Sequence, residues 1–293
     1  MHGTRIDRRA FVRCAAATTI ASLLPRQQTA QAAVRVSGLS IGVVLPDGHP
    51  AWPGVRLGAS EAAHAARLFG TDFTMHEVQA AGATAARAAA ERLIDDRAAF
   101  LIGGAEVAAA DAMATVARAR GVPLLNIGVA ADAISQRCDP YTFHLTPSAA
   151  TRAAALDAAS AQPTARAVVW HPSLTRYGAG QINDRYVEAT GTPMSEPAWA
   201  GWFAVKIAFD AAQRAGNTDG SALAAHLRAQ RTVFDGHKGV QLSFRPATQE
   251  LRQPLYIVVD DDVVAEIPAA RDAAGRSSVK LLDALAPGAA ACG

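Results

Sequence analysis

The chain has 293 residues, half of them apolar, and its 28 Lys and Arg nearly balance 26 Asp and Glu. Such a length and composition can fill one large core or two small ones, which excludes an intrinsically disordered polymer. With no basic patch, nucleic-acid binding has no electrostatic footprint.

The N-terminus places Arg8-Arg9-Ala10-Phe11 ahead of an apolar run from Cys14 to Leu24, followed by the small-residue pattern Ala30-Gln31-Ala32. That order resembles a twin-arginine export signal over residues 1–32, with Arg8 and Arg9 as the pair that is read. The apolar run is too short to span a bilayer, and no later run reaches the roughly 18 residues required. The expectation is a soluble periplasmic protein without stable membrane insertion. Cleavage after Ala32 removes five Arg and one Asp, leaving 23 basic and 25 acidic residues and a formal charge of −2. Two cysteines remain, Cys138 and Cys292. An oxidising compartment permits them to pair, although Cys292 lies in an Ala/Gly-rich stretch, 271–293, that reads as a flexible tail.

After Gly38 the run LSIGVVLP has strand length and ends in Pro46-Asp47-Gly48; a Gly-spaced amphipathic stretch from Gly54 to Arg67 follows as a helix. The alternation then repeats. FTMHEVQ precedes ATAARAAAERLIDD, AFLIGG precedes AEVAAADAMATVARARG, and VPLLNIG leads through a loop holding Cys138 to TFHL. Short apolar strands alternating with Ala-rich helices predict an α/β fold with a doubly wound, mainly parallel sheet. Beyond the strand-like AVVW, helices are expected over residues 180–189, 196–215 and 221–230, and VQLSF and LYIVVDDDVVAEI read as antiparallel strands. Asp260-Asp261-Asp262 reads as a tight turn, because adjacent carboxylates lack the spaced ligands of a calcium loop.

No catalytic constellation can be assembled. There is no nucleophile elbow, Walker loop, dinucleotide fingerprint or metal-ligand spacing, so neither an enzyme, a cofactor nor a metal is expected. Gly103-Gly104 follows a strand and precedes a helix, yet lacks the third glycine and the lysine of a phosphate loop. What remains is the geometry of a doubly wound sheet, in which ligands bind beyond the strands' carboxyl ends, where helix N-termini present free N–H groups. Those ends are Asp47 with Trp52, then Gly103, Gly104, Ala105 and Glu106, then Asn126, Gly128 and Val129, which together form one wall of a candidate ligand cleft. Trp170 and His171 are candidate anchors for a protein partner; Trp199 and Trp202 are weighed for the same role, with a place in the core as the favoured reading.

LSIGVVLP with its Gly-spaced helix, AFLIGG, ARARGVPLLNIGVAADAIS, YTFHLTPS, AWAGWFAVKIAFDAAQRAG and FDGHKGVQLSF resemble the type I periplasmic binding proteins, the family of the leucine/isoleucine/valine-binding proteins. VVWHPSLTRYGAGQINDRYVEATGTPM and HKGVQLSFRPATQELRQPLYIVV look like the substrate-binding-protein-like component linked to quinoprotein, PQQ-dependent alcohol dehydrogenase systems. The resemblance covers most of residues 38–268. It implies a solute-binding component of an ABC-type transport system, with a small-molecule ligand and an ABC permease or periplasmic quinoprotein dehydrogenase as partner. The alternative is a degenerate accessory or docking protein of that dehydrogenase.

One departure from the family bears on function. The strand matched by TFHL leads into the second lobe and VVWHP marks the return, but here only a short bridge, residues 147–166, separates them. The resemblance therefore implies a single-lobed domain over residues 33–270, with a polar, solvent-facing bridge in place of the second lobe. The loops matching the family's hydroxyl-bearing ligand loops read Gly104-Ala105-Glu106-Val107 and Gly128-Val129-Ala130-Ala131, without a hydroxyl. Glu106 would repel a carboxylate.

Overall fold

The computed structural model describes residues 36–128, 132–135, 137–269 and 279–285. Strands and helices alternate at first: β1 Gly38–Leu45, α1 Trp52–Phe69, β2 Asp72–Gln79, α2 Gly82–Asp95, β3 Phe100–Gly103, α3 Val107–Arg120, β4 Leu124–Asn126, the short α4 Asp132–Ser135 and β5 Thr142–His144. The five strands form one parallel sheet in the order β2-β1-β3-β4-β5. β1, β3 and β4 are apolar along most of their length because both faces are covered, whereas β2, at the edge, is largely exposed. Leu39, Ile41 and Val43 face a core shared with α1, while Val44, Leu101 and Leu124 face α2 and α3. Helices on both faces and a strand order that turns at β1 make the sheet doubly wound.

The second half begins with α5 Ala149–Ala158, β6 Arg166–Val168, α6 Ala179–Thr190, α7 Glu196–Ala215 and α8 Gly220–Arg228. It continues with β7 Phe234–Asp235, β8 Gln241–Phe244, β9 Leu251–Arg252, β10 Leu255–Val259, β11 Asp262–Ile267 and α9 Val279–Asp283. α7 is almost wholly buried and stacks on α1. The two helices approach so closely that a Cβ on Gly54 would lie 1.8 Å from the Ala198 carbonyl oxygen, and one on Gly201 2.7 Å from that of Ala51. Only glycine permits that backbone contact.

The late strands pair antiparallel, as expected of VQLSF and LYIVVDDDVVAEI, and stand apart from the parallel sheet; two other expectations need correction. β6, β10 and β11 form a separate antiparallel sheet and β7, β8 and β9 another, joined to the parallel sheet through the bridge His144 to Glu250. The late strands are too short and too closely connected to make crossovers.

The connection 147–166 is also not a solvent-facing tether. Ser148 caps α5 by accepting from the Thr151 N–H at 3.2 Å, and the Glu250 carboxylate receives the Ser148 N–H at 3.0 Å and the Thr151 hydroxyl at 2.8 Å. Thr151 and Ala155 are buried, and Arg152 reaches both the Ala167 carbonyl and Glu196. Part of the expected flexible tail is ordered against the domain too. Leu282 and Leu285 of the α9 segment are buried, and Asp283 pairs with Arg252.

Candidate functional site: the carboxyl ends of the parallel strands

The turn of strand order at β1 brings the loops after β1 and β3 side by side, and β4 lies beside β3. α1 and α3 begin at the loops after β1 and β3 with Ala51 and Glu106 in the cap position, neither supplying a side-chain cap. Their first-turn N–H groups are donors that the helices themselves leave unpaired.

The structure divides the predicted residues into exposed and inward-turned sets. Asp47, Glu106 and Gly128 are exposed, and Ala105 is half-buried. Trp52 is buried instead: its Nε1 donates to the Pro46 carbonyl at 2.8 Å and the Arg56 guanidinium sits over its ring, so it fastens the β1–α1 turn. Gly103 is packed so closely that a Cβ would lie 2.5 Å from the Val44 carbonyl oxygen. Gly104, at φ 91°, lies against the Asn126 amide. Asn126 is fully buried and points away from solvent. Its Nδ2 donates to His144 Nδ1 at 3.0 Å and its Oδ1 accepts the Gly128 N–H at 3.3 Å. Burial holds His144 neutral, with its pKa lowered to about 4. Val129 lies outside the described residues, as do Arg8 and Arg9.

The nearby hydroxyls at the end of β5 are committed to the fold. Thr146 donates to the Ile127 carbonyl at 2.8 Å, and Ser148 and Thr151 serve the α5 cap and Glu250. The exposed rim thus offers backbone N–H groups and the carboxylates of Asp47 and Glu106.

Burial corrects Trp170 and His171 as partner anchors and bears out the core reading of Trp199 and Trp202. Trp170 is 1% exposed, stacks on Trp199 with ring centroids 5.6 Å apart, and donates from Nε1 to Asn183 at 3.0 Å. His171 is buried between Ser173, at 2.8 Å from Nδ1, and Asp261, at 3.2 Å from Nε2. Trp199 is in the core, and Trp202 donates to Glu61 at 2.8 Å. These rings form the centre of the domain and leave no indole face for a partner.

Sequence reasoning missed Lys238. It is fully buried, with Nζ 4.3 Å from the Trp199 ring centroid and hydrogen-bonded to Gln253 Oε1 at 2.9 Å and the Pro254 carbonyl at 3.2 Å. Desolvation drives its pKa well below the ordinary lysine range, opposed by Glu196 and Glu266. The aromatic neighbours come from distant parts of the chain, so no local signal marks this lysine as internal.

A sequence model described as periplasmic binding protein matches residues 42–170 and 151–262, more than half of the chain. The chain belongs to the periplasmic binding protein family. Its parallel sheet is a type I lobe. Among solved structures, a periplasmic binding protein from Burkholderia mallei is similar at 15% identity and a TM-score of 0.67, covering 80% of this chain and 95% of that one. A leucine-binding protein from Thermotoga maritima is similar at 14% identity and a TM-score of 0.64, covering 78% and 98%. A solute-binding protein of an ABC transporter from R. palustris, in complex with 4-hydroxybenzoate, is similar at 11% identity and a TM-score of 0.62, covering 77% and 95%. At these identities the likeness is one of fold. No curated protein matches the sequence. Among the described residues no helix is long and apolar enough to cross a membrane, and no group of three or more His, Cys, Asp or Glu could hold a metal.

Proposed function

We propose that this protein is an exported solute-binding component of ABC-transporter type, tied to quinoprotein alcohol oxidation, that works with one lobe. The family match supports the solute-binding role. It falls in two segments that overlap at 151–170, where α5 and β6 make the short link between β5 and the late elements. A family pattern that resumes after so short a link supports loss of the intervening lobe.

The observation that carries the reading of the site is the uncapped starts of α1 and α3 beside the exposed Asp47, Ala105, Glu106 and Gly128. A small ligand there meets backbone N–H donors and two carboxylates. It is held on an open face, without a facing wall to expel water. Solved relatives in complex with benzoate and with isoleucine bind carboxylates. The Glu106 charge disfavours that ligand class here, and a neutral polar solute such as an alcohol suits the rim better.

A second reading, a docking module for the periplasmic quinoprotein dehydrogenase without transport, is favoured by the absence of hydroxyls from the two ligand loops. Amide chemical-shift mapping of the mature protein separates the two readings. Shifts at Ala105, Glu106 and Gly128 with a short-chain alcohol support solute binding. Shifts at the same residues only with the purified dehydrogenase support docking, and no shifts with either exclude this face.

A further inference from the structure

Between α4 and β5 the chain is fixed on both sides of one cysteine. Arg137 pairs with Asp111 of α3, and the Asp139 carboxylate accepts the Tyr141 N–H and the Thr142 hydroxyl, each at 3.0 Å. Cys138, between them, is half-buried and disulfide-bonded. The sequence holds three cysteines, Cys14, Cys138 and Cys292. Cys14 belongs to the export signal, so its removal leaves Cys292 as the partner within the chain. Cys292 lies outside the described residues.

α9 carries the chain towards that partner. Leu282 and Leu285 are buried in the shared core, the Leu282 carbonyl accepts from Arg245 at 2.8 Å, and Asp283 meets Arg252 Nε at 2.5 Å. Arg252 belongs to β9, whose neighbour Glu250 bridges to His144 of β5, and Cys138 precedes β5 by four residues. A strand of three residues spans about 10 Å and paired strands lie about 5 Å apart. Seven residues separate Leu285 from Cys292, a reach of up to roughly 25 Å. That length suffices to bring the two cysteines together.

The contacts of α9 also show what a covalent bond would add. Five residues are too few to hold a helix by themselves. The ionic hold is incomplete, since Asp283 is 43% exposed and Arg245 Nε, 3.7 Å from it, is buried without a hydrogen bond.

We propose that Cys138 and Cys292 form a disulfide that clasps the α9 segment onto the domain, an assignment that rests on removal of the export signal. Each thiol gives up a proton, and the pair gives up two electrons as the S–S bond forms. The acceptor is the disulfide of a periplasmic dithiol oxidant, which leaves as the dithiol. Before oxidation α9 is held by Leu282, Leu285 and Asp283 alone; afterwards its far end is tied to the start of β5.

The test is peptide mapping of the protein purified from cells expressing the full chain, denatured in N-ethylmaleimide and digested with trypsin without reductant. Peptide 138–152 is expected joined to peptide 281–293, the two separating on reduction. Cys292→Ser should leave Cys138 open to alkylation and quicken hydrogen exchange of residues 281–285 about tenfold. Alkylated Cys138 and Cys292 in a protein whose intact mass begins at Ala33, or exchange unchanged in the variant, would overturn the clasp alone. Peptide 138–152 joined to peptide 14–26, in a protein that retains residues 1–32, would overturn the export reading with it.

Discussion

The Asn126 amide donates to Nδ1 of His144 across neighbouring strands at 3.0 Å, in a register that sets the two residues side by side. Since Nδ2 can only donate, Nδ1 must be the acceptor, so the imidazole is neutral with its proton on Nε2. The pair sits at the end of β4, where Asn126 is fully buried and also accepts the Gly128 N–H.

Stability should therefore fall as pH drops through the range set by His144. Its folded pKa of about 4 lies below the ordinary 6.5, so the unfolded chain takes up the proton first. The contribution is fully present above about pH 6.5 and is lost as pH falls towards 4, by up to about 3 kcal/mol. Urea unfolding at pH 7 and pH 4.5 measures the loss, and an imidazole NMR titration assigns it. A His144 midpoint near 6.5 would contradict the buried pair.

Gly54→Ala should destabilise the domain by about 1–3 kcal/mol, because the new methyl has to push α7 away from α1. Helix propensity alone predicts the opposite sign, since alanine is the better helix former by about 1 kcal/mol. Thermal unfolding of the variant distinguishes the two effects.

The alternation of strands and helices from β1 to β5 was legible because apolar runs of strand length are separated by Ala-rich amphipathic ones, and Gly70 and Gly121 end two of the helices in the left-handed conformation. The exposed half of the candidate site was legible too, since Asp47, Glu106 and Gly128 follow directly from strand ends. Asn126 was misread because its direction depends on His144, a partner in another strand. Trp170, Trp199 and Trp202 offer the same composition to a core or to an interface, and only their burial and their stacking on Phe203 and on one another, Trp170 on Trp199, decide. Lys238 and the α9 segment were hidden for a related reason: a lysine and a short Leu-Leu run look like surface and tail until distant rings and arginines enclose them.

The α5 connection should resist replacement. Substituting residues 149–162 with a flexible Gly/Ser linker of the same length removes Thr151 from Glu250 and Arg152 from Glu196, leaving Glu250 buried with only part of its network. Glu250→Ala should cost about 3–5 kcal/mol, because Arg245 then stays buried without its 3.2 Å partner. Both variants should melt in one transition at lower temperature. An unchanged melting temperature would mean that the segment is only a tether.

Export is expected to depend on Arg8 and Arg9. Replacing both by Lys preserves the charge but removes the planar guanidinium that a receptor reads, so the precursor should remain in the cytoplasm. Fractionation of cells expressing the double variant checks this, and normal periplasmic accumulation would rule out the twin-arginine route.

The proposed single-lobe reading of this face is tested most directly by calorimetric titration of the mature protein with leucine, valine and glutamate. An open rim that places Glu106 near an incoming carboxylate should bind none of them more tightly than about millimolar, roughly −4 kcal/mol. A micromolar dissociation constant for any of the three would contradict that reading, because such affinity requires a closed, polar cleft.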